Sequence, residues 1–171
     1  VNSFSVPIAS EEIDITEILK EHGDSILRLC FLYLKDMHLA EDATQDTFIK
    51  VYKNWSKFNG SCSEKTWITR IAINTCKNYL RSPWKKQIDS ESLLANIICE
   101  DESKADDTLI MEIMKLSPKY REVILLFYYQ EFKIKEIAEI LKLPQSTVSV
   151  RLKRARERLK PVLKGWYCDE E

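Results

Sequence analysis

Glycine is nearly missing from this chain, with three residues in 171, and only five prolines accompany them. Alternating β-branched runs are also few, so sheet-and-turn architectures are excluded and a nearly all-helical chain is expected. With so little glycine there is no Gly-rich phosphate loop. The five cysteines (Cys30, Cys62, Cys76, Cys99 and Cys168) contain no C-x-x-C pair. The two histidines, His22 and His38, do not extend them into a zinc spacing, so no metal site is expected. An odd number of unpaired cysteines fits a reducing cytoplasm. The opening VNSFSVPIASEE lacks the basic segment and apolar run of a signal peptide, and no stretch has the uninterrupted apolar length of a membrane span. The chain is therefore expected to be soluble and cytoplasmic. Catalysis is not expected either: the histidines have no nucleophile to pair with, and the carboxylates gather in one run instead of a paired helical site. No catalytic residue, cofactor or small-molecule substrate is assigned.

Charge is abundant and unevenly placed. The stretch FKIKEIAEILKLPQSTVSVRLKRARERLK, residues 132–160, reads as two helices around an abrupt turn. Ile134, Ile137, Ala138 and Leu141 recur at helical spacing, and Pro144 cannot sit inside a continuing helix. In the second helix Val148, Leu152, Ala155 and Leu159 form one stripe, predicted to pack on the first. The other faces carry Ser146, Thr147, Ser149, Arg151, Lys153, Arg154 and Arg156. Residues 145–164 hold seven Lys or Arg against one acid, Glu157, in a chain whose formal net charge is -1. A helix-turn-helix of this kind suits a DNA major groove, with short polar side chains at base edges and cations on phosphates. Lys142 falls in the turn where glycine would take positive φ most easily, at a cost of about 1 kcal/mol.

Taken in order, the chain offers Ser10 as a cap for a first helix carrying Glu11 and Glu12 in its first turn. Gly23 is read as an interruption, with Asp24 capping a strongly apolar helix from Ile26 to Leu34. A third helix, about 39–55, has Thr44, Phe48, Val51, Tyr52 and Trp55 on one side. Asp42, Asp46, Ile49 and Lys53 lie on the other, with Gln45 at the edge; Ile49 there is either a partner contact or an ordinary exposed apolar residue. A loop, 58–63, leads to a helix over 64–81 with Ile68, Ile71, Ala72, Thr75 and Tyr79 inward. Arg70, Asn74, Lys77 and Arg81 line its opposite face, flanked by Trp67 and Asn78. Residues 65–86 hold six Lys or Arg and no acid. Such a face is compatible with a nucleic-acid surface and equally with a solvated basic helix. Residues 87–110 reverse the sign, with seven acids against Lys104, and are read as a flexible acidic linker. Beyond it Ser117 and Pro118 form a helix start, and Tyr120, Val123, Ile124, Phe127 and Tyr128 give an apolar face for the helix-turn-helix. The expected architecture is all-α: two small helical domains, 1–86 and 111–171, joined by the linker.

Three stretches resemble the bacterial RNA polymerase sigma factors of the extracytoplasmic-function group. Asp42-Ala43-Thr44-Gln45-Asp46-Thr47-Phe48 is similar to the family's polymerase-binding signature. Residues 66–74 with Lys77-Asn78-Tyr79-Leu80-Arg81 resemble the helix that recognises the minus-ten element, and residues 116–159 the domain that reads the minus-thirty-five element. The resemblance implies that Asp42, Gln45, Asp46, Ile49 and Lys53 meet core RNA polymerase. It implies that Phe58, Asn59, Gly60, Trp67 and Asn74 form or border a pocket for an unstacked base of promoter DNA, with Arg70, Lys77, Asn78 and Arg81 completing the minus-ten surface. Gln145, Ser146, Thr147, Ser149, Val150, Arg151, Lys153 and Arg154 would meet the minus-thirty-five duplex. It further implies that the acidic linker threads the polymerase channel, and that a membrane-anchored anti-sigma factor holds the protein in check at the inner face of the membrane. Two rivals stand beside this reading: a free-standing helix-turn-helix regulator, and a metal-dependent nucleic-acid enzyme, which would need a metal cluster the sequence does not offer.

Overall fold

The computed structural model describes residues 14–81 and 104–167. Among them are seven α-helices and no strand, which agrees with the all-α expectation. α1 (Ile15–Leu34), α2 (Met37–Asn54) and α3 (Glu64–Arg81) form an N-terminal unit. α4 (Lys104–Lys115), α5 (Pro118–Ile124), α6 (Ile134–Leu141) and α7 (Gln145–Tyr167) form a C-terminal one. The expected cap at Ser10, with Glu11 and Glu12, and most of the acidic linker lie outside the described residues. The linker reading ran to residue 110, whereas α4 already begins at Lys104.

Helix starts follow local chemistry. The Asp14 carboxylate accepts from the Thr16 N–H, and that of Asp36 from the Leu39 N–H, so each satisfies a donor that the helix itself leaves unpaired. The break expected at Gly23 is absent: α1 runs through it, and Asp24 is an exposed mid-helix residue. One glycine costs about 1 kcal/mol in a helix interior, and burial of Ile18, Ile26, Leu29, Cys30 and Leu34 along the same helix outweighs it. On α2 the buried stripe is Ala40, Ala43, Thr47, Phe48 and Val51, while Tyr52, expected inward, is 59% exposed. His22 is buried, with its Nε2 3.2 Å from a Glu64 carboxylate oxygen, tying α1 to the start of α3.

The second unit is built on the stripe read from the sequence, since Val148, Leu152, Ala155 and Leu159 are all buried. They face Ile137, Ala138 and Ile140 of α6 and Val123, Ile124, Leu125 and Leu126 of α5 and its continuation. α5 widens into a π turn over Leu125–Tyr129, closed by the Gln130 N–H on the Leu125 carbonyl at 3.1 Å. Tyr128, expected on the apolar face, is left 52% exposed beyond it. Its hydroxyl receives the Arg156 Nε at 2.7 Å, which clips α7 to α5. Pro118 opens α5 as expected, but the Ser117 hydroxyl makes no cap bond; the Ser117 backbone carbonyl accepts from Tyr120 and Arg121 instead.

The turn of the helix-turn-helix has the predicted strain. Lys142 sits at φ 55°, ψ 48°, and the Leu143 N–H closes on the Ala138 carbonyl at 3.0 Å. Lys142→Gly should relieve about 0.5–1 kcal/mol of this strain after allowance for the extra entropy of glycine in the unfolded chain. Leu152→Ala should remove about 2–5 kcal/mol. Urea unfolding of the two variants should move in opposite directions from the parent.

Candidate nucleic-acid interface

Three exposed surfaces carry the residues singled out in the sequence, and each owes its position to a different packing constraint.

The first is the outer face of α2. Asp42, Gln45 and Lys53 are exposed and Ile49 is 49% exposed, because Ala43, Thr47 and Val51 turn the opposite face into the core. Asp46 differs from its neighbours. Its carboxylate accepts the Tyr79 hydroxyl at 2.9 Å, so it holds α2 against α3 as well as bordering the surface. Burial, that hydrogen bond, and the negative charges of Asp46 and Asp42 push Tyr79 up to about 12.

The second surface lies between α2 and α3. After α2 a 3-10 turn, Trp55–Lys57, brings Trp55 onto Phe58 and Trp67, with ring centroids 5.3 to 5.9 Å apart. Trp67 is thus half-buried in an aromatic trio. It also borders a groove of about 370 Å3, lined with it by Lys50, Asn54, Lys57, Ile71, Asn74, Thr75 and Asn78. Asn74 and Asn78 are exposed along it, one helical turn apart. Ile71, expected inward, is half-buried and forms part of the groove wall. Lys50, Asn54 and Lys57 were missed in the sequence. They come from the far end of α2 and its 3-10 extension, and only the α2–α3 packing sets them opposite Asn74. Their order is internal: the Lys50 Nζ donates to the Thr75 hydroxyl, Asn54 donates to the Lys50 carbonyl, and the Lys57 Nζ donates to the Asn54 side-chain oxygen.

Other residues expected at this surface are distributed differently. Asn59 and Gly60 form a tight turn, with the Asn59 side chain accepting the Ser61 N–H and Gly60 at φ 70°, where a side chain would be strained whatever the space. Neither lines the groove. Arg81 is exposed. Arg70 is half-buried, its Nε enclosed without a hydrogen-bond partner. Lys77 points away from the groove and pairs with Glu122 of α5 at 2.6 Å.

The third surface is the start of α7. Gln145, Ser146, Ser149, Lys153 and Arg154 are exposed, Thr147 and Arg151 half-buried, and Val150 is 47% exposed. The Ser149 hydroxyl donates to the Gln145 carbonyl at 3.0 Å and keeps its acceptor sites outward. Lys119 of α5, which the sequence reading left out, and Tyr120, read there as part of the apolar face, line a shallow groove with Ser146, Thr147, Val150, Arg151 and Arg154. The Tyr120 hydroxyl bonds Arg154, whose guanidinium draws the phenol below its ordinary value. Arg158 and Lys119 lie over the Tyr120 ring at 4.7 and 5.1 Å. Cations and short polar groups on one helix face, with its N-terminal turn open, form an arrangement that a duplex groove fits. Among the described residues no cluster of His, Cys, Asp and Glu could hold a metal ion, and no helix is long and apolar enough to cross a membrane.

Comparison with known proteins identifies the family. The model for Sigma-70 region 2 matches residues 18–86, and that for Sigma-70, region 4 matches residues 107–159. The chain is 34% identical over 170 residues to the ECF RNA polymerase sigma factor SigW of Bacillus subtilis (strain 168), covering 88% of each chain. To the ECF RNA polymerase sigma factor SigM of the same organism it is 30% identical over 162 residues, covering 91% of this chain and 99% of that one. The fold is similar to that of the sigma factor RpoE from Bartonella quintana, solved in complex with the anti-sigma factor NepR, with a TM-score of 0.73 at 22% identity and coverage of 88% and 97%. The chain belongs to the extracytoplasmic-function RNA polymerase sigma factors.

The Asp46–Tyr79 bond makes the α2 face sensitive to alkaline pH. Tyr79 ionises later folded than unfolded, so the stabilisation it brings is complete below pH 10 and is lost as pH rises through about 12. Tyr79→Phe should lower stability by at most about 1 kcal/mol near neutrality and flatten the decline between those values. Urea titrations below and within that window test this.

Proposed function

We propose that this protein binds core RNA polymerase and directs promoter-specific initiation, dividing the work between its two units. The start of α7, with Lys119 and Tyr120, docks on the minus-thirty-five duplex. Arg151 and Arg154 neutralise phosphates, while Gln145, Ser146, Ser149 and Lys153 reach base edges, and Val150 meets a thymine methyl. The α2–α3 groove receives the non-template strand of the melted minus-ten region. Unstacking a base costs a few kcal/mol, and stacking on the part of the Trp67 ring left in the groove, with hydrogen bonds from Asn74 and Asn78, recovers it. Lys50, Lys57 and Arg81 hold the backbone on either side. Asp42, Gln45, Ile49 and Lys53 meet the polymerase, with Asp46 securing the face from behind. The polymerase carries the chemistry. Control by an anti-sigma factor, membrane-anchored and acting from the cytoplasmic side, completes the reading; the partnership printed for RpoE of Bartonella quintana supports the class of partner.

The observation that carries the proposal is the separation of two surfaces with different chemistry: a cationic helix face open to a groove, and an aromatic, amide-lined cleft suited to single strands. Run-off transcription by purified core polymerase should depend on adding the protein, and a free-standing regulator would instead bind duplex without promoting initiation. Asp42→Arg, which breaks no internal bond recorded in the fold, should reduce capture of polymerase in a pull-down with helical content unchanged. Asn74→Ala should leave closed-complex formation nearly intact and slow permanganate-detected opening about tenfold, the equivalent of roughly 1.4 kcal/mol. A template already mismatched across the minus-ten region should restore most of the loss. Equal failure on both templates would remove Asn74 from the opening step.

A further inference from the structure

Cys30 of α1 and Cys76 of α3 are far apart in the chain, yet the two helices bring them together in the core of the N-terminal unit. Both are free thiols with 0% exposure, and their side chains are hydrogen-bonded to one another. Small residues permit the close approach: Ala72 lies one turn before Cys76, and Ala40 and Ala43 of α2 are buried in the same cluster. Helices packed about 8–10 Å apart, with Cα atoms about 2.3 Å from each axis, place facing Cα atoms about 5 Å apart, which is disulfide range. The Thr44 hydroxyl, which donates to the Ala40 carbonyl at 2.7 Å, also lies in hydrogen-bonding contact with Cys30. The bond from Cys76 outweighs burial and, with the Thr44 contact, holds Cys30 below the usual thiol value.

Among the described residues no third metal-ligating side chain joins the pair, so it lacks the four donors of a structural zinc site. What two adjacent thiols can do by themselves is join. Their position gives that bond a consequence. Cys76 follows Thr75, whose hydroxyl receives the Lys50 Nζ at 2.9 Å in the wall of the α2–α3 groove. Three residues on, Tyr79 supports the α2 face through Asp46. Sulfur atoms in hydrogen-bonding contact must close to about 2.05 Å in a disulfide. The bond therefore draws this turn of α3 towards α1 and shifts Thr75 relative to Lys50, in a core too densely packed to absorb the change locally.

We propose that Cys30 and Cys76 form a redox modification site, a buried dithiol that hydrogen peroxide converts to a disulfide joining α1 to α3. The Cys30 thiolate attacks one peroxide oxygen; the O–O bond breaks, hydroxide leaves, and Cys30 becomes a sulfenic acid. The Cys76 sulfur then attacks the Cys30 sulfur, the S–O bond breaks, and the departing oxygen leaves as water with the Cys76 proton. The hydroxide takes up the proton that Cys30 lost. Each thiol gives up one electron, and the peroxide is reduced to two waters. Burial selects the oxidant, because peroxide is small enough to enter during local opening of the helices, whereas bulky disulfides are shut out. In the oxidised form the shifted groove wall slows promoter opening. That consequence rests on the reading of the groove as the strand site; the disulfide does not.

The full chain carrying Cys62→Ser, Cys99→Ser and Cys168→Ser retains only this pair. After treatment with hydrogen peroxide and removal of the excess with catalase, it is denatured in N-ethylmaleimide and its peptides are analysed by mass spectrometry. A linked Cys30–Cys76 peptide should replace both alkylated peptides, with helical circular dichroism unchanged, and dithiothreitol should restore them. Cys76→Ala in the same background should stop instead at a sulfenic or sulfinic acid on Cys30. Two thiols that stay alkylatable in the folded protein, or that oxidise separately without a link, would overturn the site. So would a link whose rate rises with urea in proportion to the unfolded population. With untreated core polymerase, the linked protein should open the minus-ten region about tenfold more slowly than the reduced one. Dithiothreitol should reverse the loss, and Cys30→Ala with Cys76→Ala should make opening indifferent to peroxide. Equal opening by linked and reduced protein would overturn the effect on the groove and leave the modification site. If the reduced protein opens no promoter, the reading of the groove fails and the effect with it, whereas the peptides still read the disulfide.

Discussion

Everything in this molecule turns on how the circumference of α3 is shared. One arc, with Ile68, Ala72, Thr75 and Cys76, is buried in the N-terminal unit. A second, with Lys65, Ile73 and Lys77, is taken by the C-terminal unit. What remains is a stripe at alternating spacings of four and three residues, Trp67, Ile71, Asn74, Asn78 and Arg81, along which the groove opens. A helix packed on two sides leaves little of its surface to a ligand, so the identity of those few residues decides what it can bind. Here they are an indole, an isoleucine, two amides and a cation at the end, the first four set against Lys50 of α2 and Lys57 of its 3-10 extension.

The same economy governs charge. The chain is close to neutral overall, yet residues 65–86 and 145–164 are strongly cationic and residues 87–110 strongly acidic. Formal charge alone does not locate the free cations. Lys77 is neutralised by Glu122, and Arg156 is bonded to the Tyr128 hydroxyl with its guanidinium over the Phe127 and Tyr128 rings. Arg151, Lys153 and Arg154 stay on the open face because Val148, Leu152 and Ala155 fix the rotation of α7. Electrostatic complementarity to a polyanion is therefore a product of apolar packing, which sets the direction each helix presents.

Several differences from the sequence reading have one physical origin. Periodicity reports a buried stripe on the assumption of one partner per helix. That assumption served α7, whose stripe is fully buried, and it located the strained turn at Lys142. For α3 it placed Ile71 inside and left out Ile73, because a second partner widens the buried arc and displaces it. For α2 it placed Tyr52 inside, although small residues, Ala40 and Ala43, allow the helices to pack closely and carry the contact without it. Gly23 shows a related limit: a local helix breaker was overridden by the burial of the helix around it.

The sequence by itself determined the all-helical architecture, the helix-turn-helix and its basic face, the sign reversal between the two units, and the motifs by which the family is recognised. These are properties of short windows, where the spacing of apolar side chains, the backbone limits of proline and the count of charges act locally. Tertiary structure alone decided which of the exposed residues work together. It brought Lys50, Asn54 and Lys57 to Asn74 and Asn78, joined Asp46 to Tyr79, and set Lys119 and Tyr120 beside Arg151 and Arg154. It also turned Lys77 toward Glu122, 45 positions away in the sequence (77 to 122). A contact between distant positions depends on how two helices are rotated about their axes and how far apart they lie. Both are set by the packing of their buried faces, which no local pattern encodes.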